Sequence, residues 1–184
     1  MRRSAAVFTI AATVALGGCT PQYVQPASGP TAKIRLALRD SSNYFAQLHT
    51  YEKPACEGAQ AIGLVGNPAY VKANNPENNS TVGMIDGKAG PDTRIIEKVI
   101  PANRKFTVSY NQIGPHDAMY VRTCTLVASF TPREGGEYEI NYRYDTARCY
   151  AQVVELSRTA EGRIARAPVE NVETEPSGCK GARS

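Results

Sequence analysis

The residue pattern predicts an all-β fold, an antiparallel β-sandwich following a cleaved leader. Three observations carry this. Short segments alternate apolar and polar residues with a period of two, which is the mark of half-buried strands. Clusters of Gly, Pro, Asn and Asp separate those segments at roughly regular spacing. No stretch sustains the 3.6-residue repeat of an amphipathic helix.

The leader comes first in the chain. Arg2 and Arg3 precede a mostly apolar run from Ala5 to Leu16. That run has the length of a signal-peptide core and falls short of the roughly 20 residues that a permanent membrane helix needs. It ends in Leu16-Gly17-Gly18-Cys19, which resembles the lipobox of bacterial lipoproteins. The resemblance implies cleavage after residue 18 and a diacylglyceryl group on the Cys19 sulfur, with Cys19 as the first mature residue. Thr20 stands where an Asp would imply retention at the inner membrane in Gram-negative bacteria, so the expected location is the outer membrane. Residues 19–30, with Pro21, Pro26 and Pro30, read as a lipidated cysteine and a Pro-rich tether.

Residues 31–169 are expected to form one domain. Ile34, Leu36 and Leu38 alternate with Lys33, Arg35 and Arg39, a strand with one wet face. Phe45 to Tyr51 is a second strand candidate, and Ala59 to Val65 reads as strand or loop. The Asn-rich stretch Asn67 to Asn79 and the segment Asp86 to Asp92 are expected loops, with strands at Ser80 to Ile85 and Thr93 to Ile100 on either side of the second. Phe106, Val108 and Tyr110 mark the next strand, and Tyr120, Cys124, Leu126, Ala128 and Phe130 share one face of the strand after it. Thr131 to Gly136 reads as a hairpin connection. Beyond it Tyr138, Ile140, Tyr142 and Tyr144 alternate with Glu137, Glu139, Asn141 and Arg143. A strand from Cys149 through Val153, Val154 and Leu156 follows, then a turn at Glu161-Gly162 and a last run from Arg163 to Val169. Residues 170–184 read as a polar tail. Immunoglobulin-like and transthyretin-like shapes both suit this count of strands, with an antiparallel barrel as the rival; the buried Trp of immunoglobulin domains is missing, because the chain has no Trp.

Apart from Cys19 there are Cys56, Cys124, Cys149 and Cys179, an even number in an exported chain, which reads as two disulfides. Cys124 and Cys149 lie on consecutive strand candidates near the same end of the sheet, so the expected pairs are Cys124–Cys149 and Cys56–Cys179. Zinc is the competing reading, but no Cys-x-x-Cys occurs and neither histidine neighbours a cysteine.

Catalytic chemistry finds little support. The two histidines are His49, in a strand candidate, and His116, next to Asp117 in a turn, and no Gly-x-Ser-x-Gly elbow is present. Glu137, Glu139 and Asp145 could supply a glycosidase-like carboxylate pair, but on the polar face of a strand Glu137 and Glu139 are expected to be solvated charge. The Asp86 loop matches neither a calcium loop nor a phosphate loop. Tyr138, Tyr142 and Tyr144, which share one strand face with Ile140, are expected to fill the core rather than form a binding surface, because they alternate with charged residues. The formal charge of +4 falls by two with the loss of Arg2 and Arg3, and the remaining cations are scattered, which argues against nucleic acid as a partner.

The layout of lipobox, Pro-rich segment and four further cysteines resembles small uncharacterised outer-membrane lipoproteins of proteobacteria, a resemblance that implies no activity. The expectation is a non-catalytic protein without a cofactor. It is lipid-anchored at the periplasmic face of the outer membrane and acts by contact with an envelope protein. A periplasmic inhibitor or immunity protein that blocks a cell-wall hydrolase is the alternative.

Overall fold

The computed structural model describes residues 20–39, 45–53, 56–69, 71, 81–87, 94–113, 123–145 and 148–175. In chain order its strands are β1 (Thr31–Leu38), β2 (Phe45–Tyr51), β3 (Ala59–Gly66), β4 (Ile95–Pro101), β5 (Phe106–Ile113), β6 (Thr123–Phe130), β7 (Glu137–Asp145), β8 (Arg148–Arg158), β9 (Ile164–Pro168) and β10 (Glu173–Glu175). They form two five-stranded sheets, β4-β1-β7-β8-β9 and β10-β6-β5-β2-β3, facing each other as a sandwich. β1 and β7 run parallel, and the other strand pairs described are antiparallel. The strand order departs from the immunoglobulin one. An immunoglobulin sandwich pairs its first two strands within one sheet, whereas here β1 and β2 lie in opposite sheets.

The core follows from the alternation. Ile34, Leu36 and Leu38 of β1 stand beside Tyr138, Ile140 and Tyr142 of β7 in register, and all six are buried. Across the sandwich they meet Leu48, Val108, Tyr110, Leu126, Ala128 and Phe130 in one contiguous cluster. Tyr142 stacks on Tyr110 with ring centroids 3.8 Å apart and planes 13° from parallel. Phe130 packs between Phe106, edge-on at 6.5 Å, and Tyr138 at 5.1 Å. Tyr138 and Tyr142 are therefore core residues, as is Tyr110, while the side chain of Tyr144 lies outside the described residues. The Tyr138 hydroxyl reaches the rim and accepts the Arg133 N–H at 2.8 Å. The Tyr142 hydroxyl stays inside with no hydrogen-bond partner among the described residues, and burial pushes its pKa above the ordinary phenol range.

Four expectations need correction. Residues 131–136 do not close a hairpin, because β6 and β7 belong to opposite sheets and this segment carries the chain between them. Gly135 N–H donates to Thr31 O at 2.8 Å, and Gly136 lies so close to the Tyr138 ring that a Cβ there would come within 2.7 Å of it. Alternation on both sides of a turn does not say which sheet the second strand joins. The expected strand at Ser80 to Ile85 is not one: residues 81–87 cross the outer face of the first sheet without strand structure. The segment read as a tether is docked on the body from Pro21 onward, because Ala61 of β3 bonds to both Pro21 and Tyr23 through its backbone. The polar tail contributes β10, which pairs with β6, and Val172 just before it packs against the core.

The Asn67 to Asn79 loop opens with a helical hydrogen bond from Val71 N–H to Asn67 O at 2.9 Å, and Val71 is buried; residues 72–79 lie outside the description. No helix among the described residues is long and apolar enough to cross a membrane.

Cys124 of β6 and Cys149 of β8 form a disulfide. The expected pairing holds, but its geometry differs: the bond joins the two sheets, rather than two strands of one sheet. Cys56 is also disulfide-bonded, and Cys179 lies outside the described residues. Closing a loop with a sequence separation of 25 is worth about 3.5 kcal/mol in the chain-entropy account. Replacing both Cys124 and Cys149 by Ala should lower the unfolding free energy by about 2–4 kcal/mol, read from urea titrations of the folded protein.

Candidate functional site

The densest polar constellation lies on the outer face of the first sheet, where the sequence suggested solvated charge. β1 is flanked by β4 and β7, and the register sets Arg35 directly between Glu97 and Glu139. All three are buried, with Glu97 and Glu139 each only 2 % exposed. Arg35 Nε and Nη2 donate to Glu97 Oε1 at 3.0 and 2.8 Å, and Nη1 donates to Glu139 Oε2 at 3.1 Å. Glu139 Oε1 also accepts from Arg39 Nη2 at 2.8 Å and Asn141 Nδ2 at 2.9 Å.

Residues 81–87 form the lid on this lattice. Arg35 Nη2 donates to Ile85 O at 3.0 Å, Val82 N–H donates to Glu97 Oε2 at 3.0 Å, and Ile85 N–H donates to Glu137 Oε2 at 2.5 Å. Lys33 Nζ reaches Gly83 O at 2.9 Å. Val82 and Met84 pack on Val154 and Leu156 of β8 as a small second core. Side chains of the sheet thus satisfy the backbone of a segment that has no strand neighbours of its own.

The electrostatics follow from these contacts. Burial alone would raise the Glu139 carboxyl, but hydrogen bonds from Asn141, Arg35 and Arg39 outweigh it and hold its pKa below the ordinary carboxylate range. Burial would lower the Arg35 guanidinium, and its bonds to Glu97 and Glu139 outweigh that in turn, so its pKa is raised. A carboxylate held ionised and fully engaged is not a poised general acid. Glu137 is occupied by Ile85 N–H and Lys33. Neither carboxylate on this strand is the solvated charge that the alternation suggested. Beside the lattice, a cavity of about 170 Å³ is lined by Arg35, Arg39, Arg94, Arg166, Asp86 and Glu139; Arg166 bonds Asp86 at 2.6 Å across it.

A second and larger cleft, of about 410 Å³, opens where the N-terminal segment lies on the sandwich, and Tyr23, Val24, Tyr51, Arg104 and Lys105 are among its lining. The Tyr23 hydroxyl donates to Val99 O at 3.0 Å, and burial pushes its pKa up to about 12, with nearby Arg104 opposing the shift.

The other sequence candidates scatter. His49 is half-buried in β2, its pKa lowered by burial, with Asn111 Nδ2 3.5 Å from its Nδ1. Cys19, His116 and Asp117 lie outside the described residues, as does the side chain of Asp145. Among the described residues no group of three His, Cys, Asp or Glu is arranged to hold a metal ion. Comparison with protein-family models, curated proteins and solved structures finds no match.

The lattice makes a specific demand on stability. Arg35→Leu would leave two buried carboxylates without their shared cation, at an expected loss of about 3–5 kcal/mol near pH 7. The loss should shrink on acidification, because the orphaned carboxylates then take up protons. In the wild-type protein the depressed pKa of Glu139 works the other way. Its contribution is complete above the unfolded carboxylate pKa of about 4.3 and is lost as pH falls below that through the folded value. Urea titrations of both proteins between pH 7 and pH 3 would show the two opposed slopes; parallel curves would refute the lattice as a linked group.

Proposed function

We propose that this chain is a lipid-anchored envelope protein of the outer membrane that acts on the periplasmic side, through protein contact and without catalysis. The observation that carries the proposal is Leu16-Gly17-Gly18-Cys19 behind Arg2-Arg3 and a short apolar run. Support comes from the Cys124–Cys149 disulfide, a bond that persists in oxidising compartments such as the bacterial periplasm. Glu137 and Glu139, two of the acids considered for catalysis, are engaged in the lattice around Arg35, which favours a rigid contact domain.

Energetically, one acyl chain binds a membrane only marginally, and each buried methylene adds about 0.8 kcal/mol, so a diacylglyceryl group with a third chain on the amino terminus makes a lasting anchor. Cys19→Ser should therefore move the protein from the membrane pellet to the soluble periplasmic fraction, with its disulfides intact. Continued sedimentation with the membrane would reject the anchor. For the contact function, cross-linking of the native protein in cells followed by mass spectrometry should capture envelope assembly proteins. Capture of one dominant periplasmic hydrolase would point instead to an inhibitor.

A further inference from the structure

The segment that follows the anchoring cysteine leaves almost no slack. Ala61 N–H donates to Pro21 O and Tyr23 N–H donates to Ala61 O, both at 2.8 Å, along the outer edge of β3. On the other side Tyr23 Oη donates to Val99 O, and Val99 N–H donates to Gln25 Oε1 at 2.6 Å, along the edge of β4. Residues 21–25 are thus stitched to the edge strands of both sheets. Pro21 is two residues from Cys19, and two residues of extended chain reach about 7 Å.

What this edge exposes is distinctive. Val24 is 79 % exposed, more than any other large hydrophobic side chain among the described residues. It shares the cleft with Pro26 and with Arg104 and Lys105, which project from the turn between β4 and β5. That turn is fixed from both sides, by Ala102 N–H to Pro30 O at 2.9 Å and Asn103 N–H to Pro132 O at 2.8 Å. Lys105 is partly neutralised by Glu173 at 2.5 Å, and the acid in the lining, Glu52, is engaged by Gln60 at 3.0 Å. Arg104 has no ion-pair partner among the described residues. An apolar tip flanked by cations, a few residues from a lipid attachment point, is the chemistry of a surface that meets anionic headgroups.

We propose that the Val24–Arg104–Lys105 edge is a membrane-contact surface that seats the sandwich directly on the phospholipid headgroups, with Val24 entering the interface and Arg104 and Lys105 facing lipid phosphates. This rests on the anchor reading, which the test separates from it. The chain has no Trp, so Val24→Trp supplies a sole indole that can be excited apart from the tyrosines, and Tyr150→Trp supplies a control at the other large exposed hydrophobic position. Each full-length, natively processed variant would be reconstituted with vesicles of phosphatidylglycerol and phosphatidylcholine containing brominated lipid, then floated on a density gradient. The expected result is co-flotation of both variants, with blue-shifted emission and at least twofold quenching at position 24 and neither at position 150. Adding Arg104→Glu and Lys105→Glu should remove most of the quenching at position 24 while flotation persists. Flotation with water-exposed, unquenched emission at position 24 overturns the surface and leaves the anchor standing. Equal quenching at both positions also overturns it. Failure to float, with no lipid mass on Cys19, removes anchor and seating together.

Discussion

Arg35 lies on an inner strand of the first sheet, and much of the molecule is arranged around the four hydrogen bonds its guanidinium donates. It sits in β1, the strand that pairs antiparallel with β4 on one side and parallel with β7 on the other. Glu97 and Glu139 come level with it only in that register. A slip of one residue would turn the guanidinium into the core and expose Ile34 and Leu36. Buried ion pairs are a weak source of net stability, because desolvation offsets their attraction, but a wrongly paired one is costly. The triad therefore acts chiefly on alignment. It fixes three strands to one another, and through Ile85 and Val82 it fixes the covering segment that brings Met84 onto Val154 and Leu156.

The sheet edges pose a second constraint, since an open strand edge invites pairing with another chain. On one side of the sandwich the edges are β3 and β4, and the N-terminal segment lies along both. It covers them with proline-containing backbone that cannot itself continue a ladder. At the edge of the second sheet the short β10 pairs with β6, which the Cys124–Cys149 bond ties to β8 across the sandwich. The residues that read as linker and tail are thus the ones that finish the sheets.

Fold class was legible because burial on one face imposes a period of two, and β1, β5 and β7 display it almost without interruption. The Cys124–Cys149 pair was legible too, although for a different geometric reason from the one inferred. The buried lattice was not. Glu97, Arg35 and Glu139 each look like a solvent-facing charge in its own strand, and only the pairing of β4, β1 and β7, separated by long stretches of chain, brings them together. The same gap explains the covering segment: Val82 and Met84 alternate as a strand would, but their apolar partners lie on the outside of a sheet. Local pattern reports which residues want burial and not what buries them. The docked N-terminus escaped for the opposite reason, since its prolines do exclude helix and sheet, yet irregular backbone can still be held by two edge strands.

That docking changes what a lipid on Cys19 would accomplish. A flexible linker lets a domain search a volume that grows with linker length, and partners are then met by diffusion around the anchor. With Pro21 bound to β3, that search would be removed and a lipid on Cys19 would act as an orientation device. Strands of seven to eleven residues at about 3.3 Å per residue span roughly 23–36 Å. The end of the sandwich carrying Arg39, Asp86 and Arg166 would then be held within that distance of the bilayer, facing away from the anchored edge. A partner would have to come to the membrane to meet it. For a protein that works by contact, such fixed presentation lowers the orientational entropy lost on binding, and favours partners that are themselves confined to the envelope surface.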